Sequence, residues 1–400
     1  MTGIRWPFLG LDRVVSSREA FLTGSLAFGS LVAVAETDAL ALPEITLTAA
    51  FQQQVRRLAT ASKVPGVAVA SVFGKRIDSF GIGMAHNHDQ TTASTVFEAA
   101  SLSKPAFALG VLQLVEAGKL HLDSPIATIV DLRHETGDPR VLRITPRHAL
   151  THATGLPNWR FKPGPLRCKF EPGSRFSYSG EGIFLLQRAV EHVVGTGLAY
   201  YMRQHVLEPL GMTSSTFAFS TSIETKMASP HDVSGRSSEW RTLLLGRQLV
   251  ALAGSRGLPL EKWTWNDMRS VLPKLEPPQK PLPVYSTINA ASSLLTTAQD
   301  YANVASALAR QPNLTSPQIA VTDRIAWGLG VGLELSKDRT AFHWGDNDGF
   351  KAMLVADTRR PDGAIVLTNS DGGMKLALKA IERLIGPSHP LLGWVGAMYR

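Results

Sequence analysis

Apolar residues recur at helical spacing from Leu47 through Phe51, Val55 and Leu58, and the run stops at Lys63-Val64-Pro65-Gly66, so a helix is expected to end in a turn there. Next, Val67 to Phe73 and Ile77 to Ile82 are short β-prone runs on either side of Gly74-Lys75, the pattern of a hairpin. The far end of the chain repeats this pattern. Trp327 to Glu334, Ala352 to Ala356 and Ala364 to Thr368 read as strands, the last two joined through Pro361-Asp362-Gly363. Connections this short imply antiparallel pairing. The long middle carries a helical period instead, notably in Ala106 to Ala117, Ile183 to Val194 and Thr297 to Ala309. The pattern predicts an α/β (α+β) architecture: an antiparallel sheet built from both chain ends and flanked by helices, with a mostly helical subdomain inserted. Segments 46–100 and 321–387 form the two parts of the sheet domain in this reading, 101–320 the helical subdomain and 388–400 a C-terminal tail. The Pro-rich piece from Leu272 to Val284 is read as an ordered surface loop within one body.

Composition narrows the class. A chain of 400 residues, 44% of them hydrophobic, can fill a sizeable core, and it shows no fixed-period repeat or low-complexity tract. The single cysteine, Cys168, excludes an intrachain disulfide and a Cys-cluster metal site, and with no general base beside it reads as an ordinary thiol. The net charge of +8 is scattered among acidic residues without an aromatic-basic platform, so no nucleic-acid partner is expected. Arg5, Arg13 and Arg18 precede an apolar stretch from Ala20 to Ala35, the order of a secretory signal peptide in residues 1–35, which predicts export to the periplasm or the medium. The competing reading is an N-terminal helix or membrane tether on a cytoplasmic or membrane-attached protein, because the basic region is long and holds Asp12 and Glu19.

Candidate chemistry begins at Ser101-Leu102-Ser103-Lys104, which opens an apolar helical run and tolerates Pro105 in its first turn. Residues three apart share a helical face, so Ser101 and Lys104 can meet. A lysine lodged against an apolar helix loses its ammonium form to desolvation and can activate a serine hydroxyl. Helix capping explains a serine at this point equally well. Downstream stand Ile144-Thr145-Pro146-Arg147-His148-Ala149-Leu150-Thr151-His152-Ala153-Thr154-Gly155-Leu156-Pro157 and Pro172-Gly173-Ser174-Arg175-Phe176-Ser177-Tyr178-Ser179-Gly180. Pro209-Leu210-Gly211-Met212, His343-Trp344-Gly345 and Gly349-Phe350 follow, as Phe97-Glu98-Ala99-Ala100 precedes Ser101.

In these motifs and their order, from roughly Val64 to Asn369, the chain resembles the class C β-lactamase-like serine hydrolases. That family shares the penicillin-recognising β-lactamase/transpeptidase fold and contains D-alanyl-D-alanine carboxypeptidases and β-lactamase-related esterases. The resemblance implies Ser101 as nucleophile and Lys104 and Tyr178 as its proton-handling partners, Tyr178 taking the tyrosine position of the Tyr-x-Asn motif. A cation beside Tyr178 would favour phenolate, and which of Lys104 and Tyr178 holds the proton at rest is a coupled-titration question. The resemblance also implies an oxyanion hole from the backbone N–H groups of Ser101 and Asp346, with Gly180, His343, Trp344 and Gly345 on the substrate side and Gly345 permitting close approach of substrate.

Two departures bear on substrate. Gly180 replaces the motif's asparagine, whose amide serves the acylamino group in β-lactamases, and His343 replaces a lysine, while Asp346 and Asp348 add negative charge. With Trp344 added, such a site suits a neutral or apolar acyl group, so a small-molecule ester is the expected substrate. The alternatives are D-Ala-D-Ala carboxypeptidase or β-lactamase activity, or a slow-turnover penicillin- or muropeptide-binding protein with transient membrane or cell-wall association. No cofactor or metal is expected. His86-x-His88 with Asp89 reads as a solvated turn, and His148 and His152 are spaced for one helical face but lack the glutamate of a zinc helix. Ser292-Ser293-Leu294-Leu295-Thr296-Thr297 reads as the start of a helix near the cleft, with a helix-capping role simpler than substrate contact.

Overall fold

The computed structural model describes residues 42–335 and 340–399. The Ala20–Ala35 stretch on which export rests lies outside them, and no helix among the described residues is long and apolar enough to cross a membrane.

Helix α1 (Ala49–Ala61) begins where the Thr48 hydroxyl accepts the Phe51 N–H, and it buries Phe51, Val55 and Ala59 as its spacing demands. Strands β1 (Gly66–Phe73) and β2 (Arg76–Gly83) form the expected hairpin, tightened at Gly74 with φ +62°, a left-handed conformation that suits glycine. The two-residue strand β3 (Phe97–Glu98) then leads into α2 (Ser103–Glu116). The helical middle continues with α3 (Pro146–Leu150), α4 (Gly180–Val194), α5 (Leu198–Met202), α6 (Thr221–Glu224), α7 (Arg241–Arg256) and α8 (Trp265–Val271). Strand β4 (Leu295–Thr296) pairs back onto β3, and α9 (Ala298–Leu308) returns the chain to the sheet.

The remaining strands are β5 (Ile319–Ala320), β6 (Ile325–Trp327), β7 (Gly332–Glu334), β8 (Thr340–Asn347), β9 (Phe350–Asp357) and β10 (Gly363–Thr368), followed by α10 (Gly373–Ile385) and α11 (Pro390–Gly396). The eight-stranded antiparallel sheet has the order β2-β1-β10-β9-β8-β7-β6-β5, so both chain ends build it. One face, with α2, α4 and α9, carries the larger core; the other packs α1, α10 and α11. Loop 272–284 is anchored by buried Leu272, Leu275 and Leu282.

Two expectations change. Trp327–Glu334 is two strands rather than one, because the chain turns at Gly328-Leu329-Gly330: Gly330 has φ +92°, and a Cβ on Gly328 would overlap the Leu314 carbonyl. The segment after residue 388 folds as α11, buries Leu391 and Val395 and carries Tyr399 to the sheet.

Candidate active site

Strand β3 delivers the chain to a short 3₁₀ turn, Ala100–Leu102, that enters α2. Ala100 stands at φ +50°, a left-handed conformation that costs an alanine roughly 1–2 kcal/mol. The turn is held in place by Ser103 Oγ, which donates to the Ala100 carbonyl at 2.6 Å and accepts the Leu294 N–H at 2.9 Å. Gly345 of β8 belongs to the same clamp. A Cβ there would overlap the Ala99 carbonyl oxygen, so the glycine lets β8 press against the turn that presents Ser101, and this close strand-to-turn packing is itself a demand for a glycine.

Ser101 caps no helix, for neither the turn nor α2 has a side-chain cap. Its Oγ instead lies 2.9 Å from Lys104 Nζ, one turn along the same face. Lys104 is 1% exposed and donates to the Ala291 carbonyl at 2.8 Å; desolvation holds its pKa well below that of a free lysine and favours the neutral amine. Tyr178 arrives from the segment before α4, with its ring centroid 4.8 Å from Lys104 Nζ. Ser101, Lys104 and Tyr178 thus meet at one point.

Burial pushes the Tyr178 phenol above its ordinary range; the Ser101 hydroxyl nearby favours ionisation and Asp346 opposes it. Among the described residues no group makes a hydrogen bond of normal geometry to the phenol. Burial thus pushes both groups toward their neutral forms, amine and phenol, which bears on the question the sequence left open of where the proton rests.

His152 lies beneath that ring, its centroid 4.1 Å from Tyr178's. It does not share a helical face with His148: α3 ends at Leu150, and His148 caps the helix start through Thr145 while His152 sits at φ +54° with Nδ1 accepting the Ser179 N–H. Burial keeps its ring neutral, with Lys104 and His343 adding to the effect. A position read from sequence as structural thus supports Tyr178 directly.

Strand alternation separates the other residues of this edge. His343 points toward Lys104; burial and the lysine lower its pKa to about 3, and its Nδ1 donates to the Trp344 carbonyl at 2.8 Å. Trp344, on the other pleat of the strand, stacks beside His343 with ring centroids 5.4 Å apart and packs, 2% exposed, against Trp327, Trp394 and Tyr178. Most of its surface is spent on packing, part of it against the Tyr178 ring.

Strand β7 meets β8 at Ala341 and Phe342 alone, so among the described residues β8 has no strand partner on that side from His343 onward. The Trp344 carbonyl, free to take a side-chain donor, marks the open edge, and the two-residue period puts the Asp346 N–H on it as well. The Asp346 carboxylate is tied to Lys351 Nζ at 3.0 Å and accepts the Tyr399 hydroxyl at 2.9 Å, and Asp348 accepts from Tyr285 at 3.0 Å. The charge of Asp346 is thus offset by Lys351, whereas the partner of Asp348 is a neutral hydroxyl. The stretch Ser292 to Thr297 leads into α9 as expected, with Thr297 as its cap, while Ser293 Oγ braces the Asn289 N–H and the Phe217 carbonyl.

Gly180 opens α4 beneath the indole of Trp159, a residue the motif reading passed over. Glu98 is the second omission. Buried on β3, it accepts Asn347 Nδ2 at 2.8 Å and so ties the approach to Ser101 to the end of β8. Burial raises its pKa to about 7, against hydrogen bonds from Thr242 and Asn347. Because the folded value exceeds the unfolded one, this group's stability contribution is full below about pH 4.5 and is lost as pH rises through 7, a change of about 3 kcal/mol. Glu191, also buried and raised to about 7, adds to the same slope. Glu98→Gln is therefore expected to narrow the fall in Tm between pH 5.5 and 8.5, measured by thermal denaturation; an unchanged fall would refute this origin.

The family model described as Beta-lactamase matches residues 51–385. Esterase EstB of Burkholderia gladioli is 31% identical over 31% of this chain and 38% of its own length. Penicillin-binding protein 4 of Amycolatopsis lactamdurans is 26% identical over 45% of this chain and 52% of its own. The chain thus spans about 40 to 50% of these relatives. Among solved structures, the octameric penicillin-binding protein homologue from Pyrococcus abyssi superposes with TM-score 0.63 at 20% identity, covering 84% of this chain and 77% of that one. With a match that begins in α1 and ends in α10, and so takes in the whole of the sheet and the helical middle, the chain belongs to the Beta-lactamase family of serine hydrolases.

Proposed function

We propose that this protein is an esterase-like serine hydrolase that works through an acyl-enzyme on Ser101. The observation that carries the reading is the 2.9 Å approach of a buried lysine amine to the Ser101 hydroxyl, with no carboxylate among the described residues bonded to that amine to hold it as ammonium. Ser101 Oγ attacks the ester carbonyl as its proton passes to Lys104 Nζ, and the N–H groups of Ser101 and Asp346 receive the oxyanion. On collapse the C–O bond to the alcohol breaks and the Tyr178 phenol protonates the leaving oxygen. The Lys104 ammonium then returns a proton to Tyr178. Water repeats the sequence on the acyl-enzyme, with Lys104 taking its proton and Ser101 Oγ leaving as the hydroxyl.

Support for an ester over a β-lactam or D-peptide is that His343 stands where a permanently charged lysine would otherwise serve a substrate carboxylate and is held neutral by burial, while Lys351 is committed to Asp346 and Asp371. The similarity to an esterase agrees. Purified protein is expected to hydrolyse short-chain p-nitrophenyl esters faster than a chromogenic cephalosporin or a D-Ala-D-Ala peptide. Faster turnover of either of the latter overturns the ranking, and a persistent penicillin adduct in mass spectra without product favours the slow-turnover binding protein.

A further inference from the structure

Gly180 needs an explanation that its backbone does not supply. It opens α4 without a left-handed φ, and glycine weakens a helix relative to other residues. Space is the remaining demand. A Cβ at this position would come within 2.6 Å of Trp159 Cη2 and 2.7 Å of Cε2, so the indole occupies the volume of the missing side chain.

The loop bearing Trp159 is fixed there by hydrogen bonds to the head of α4. Gly180 N–H donates to Asn158 Oδ1 at 2.9 Å, Glu181 N–H to the Asn158 carbonyl at 2.9 Å, and Arg160 N–H to the buried Glu181 carboxylate at 3.0 Å. Ser179 Oγ also donates to the Pro157 carbonyl at 2.9 Å. Ser179 between them is extended, φ −142° and ψ 112°, so the side chain of Tyr178 and the Cβ direction of Gly180 lie on the same side of the chain. That is the side on which the Tyr178 ring meets Lys104. Trp159 also differs from Trp327 and Trp344 in keeping part of its surface exposed.

We propose that Trp159 is the acyl-selectivity residue of this site, an aromatic wall seated on Gly180 that favours esters of extended apolar or aromatic acids over those carrying a polar α-acylamino group. This rests on the hydrolase reading above and names its substrate class. An indole presents an apolar face to a methylene chain, whereas an α-amide placed against it would lose its hydrogen bonds with water without replacement.

The test compares kcat/KM for p-nitrophenyl octanoate, acetate and an N-acetylglycine ester in the wild type, Trp159→Phe, Trp159→Ala and the double variant Trp159→Ala/Gly180→Asn. The octanoate-to-acetate ratio should fall about tenfold or more in Trp159→Ala and survive in Trp159→Phe. The double variant, in which the amide takes the vacated space, should shift selectivity about tenfold toward the N-acetylglycine ester. Because each readout is a ratio within one preparation, partial unfolding does not mimic it. Equal losses on all three esters overturn the proposal, while a wild type inactive on all of them overturns the hydrolase reading instead.

Discussion

Replacing Ser101 with alanine is expected to cut ester turnover roughly a millionfold, to the level of residual binding and oxyanion stabilisation, while leaving thermal stability close to wild type. The two halves of this expectation have separate origins. The hydroxyl bonds to Lys104 Nζ and caps neither the turn nor α2, so its loss removes a reacting atom and no fold contact but that one. The strained neighbour Ala100 remains held by Ser103, whose hydroxyl joins the turn to Leu294. Initial rates on p-nitrophenyl acetate, circular dichroism melts and intact-protein mass spectra after mixing with an activated ester check the three consequences: no turnover, an unchanged Tm and no acyl adduct. Activity above about 1% of wild type in a preparation free of wild-type enzyme would exclude Ser101 as nucleophile.

Local pattern carried the scaffold further than the site. Helices α1, α2, α4 and α9 and the β1-β2 and β9-β10 connections follow from apolar spacing and turn residues, because each is decided by neighbours close in sequence. The motif around Ser101, Lys104 and Tyr178 could be read for the same reason, each member sitting in a distinctive short string. What stayed hidden was contact between distant strings. Nothing near Trp159 shows that its ring fills the side-chain volume of a glycine 21 residues later, and nothing near Glu98 shows that it will meet Asn347 across 249 residues. The packing of Trp344 was hidden for a related reason: a strand's pattern does not say how a side chain is shared between cleft and core until its edge pairing is known. The same edge explains the C-terminal segment: α11 covers the aromatic face that Trp344 presents, and Tyr399 ends against Asp346.

Lys104→Met is expected to lower kcat/KM by about 10³- to 10⁴-fold and to raise Tm at neutral pH, whereas Tyr178→Phe should lose about 10²- to 10³-fold. The opposite signs for activity and stability follow from one physical cause. Lys104 is buried with its pKa well below 10.5, so between the folded and unfolded values the unfolded chain binds the extra proton and stability increases with pH across that window. At neutral pH the wild type has not gained all of that stability, and an unbranched apolar side chain of similar length removes the penalty. The same depressed pKa makes the amine available as a base. The wild-type pH profile of kcat/KM should therefore climb through one ionisation belonging to Lys104 and reach its plateau below the range of a solvent-exposed lysine. His343, at about 3, and His152, also depressed, stay neutral across that climb and contribute no limb to it. Tyr178→Phe retains the amine and should keep the rising limb at reduced height; Lys104→Met should lose the limb. A profile for Tyr178→Phe that is flat, beside one for Lys104→Met that still climbs, would transfer the role of base to the phenol.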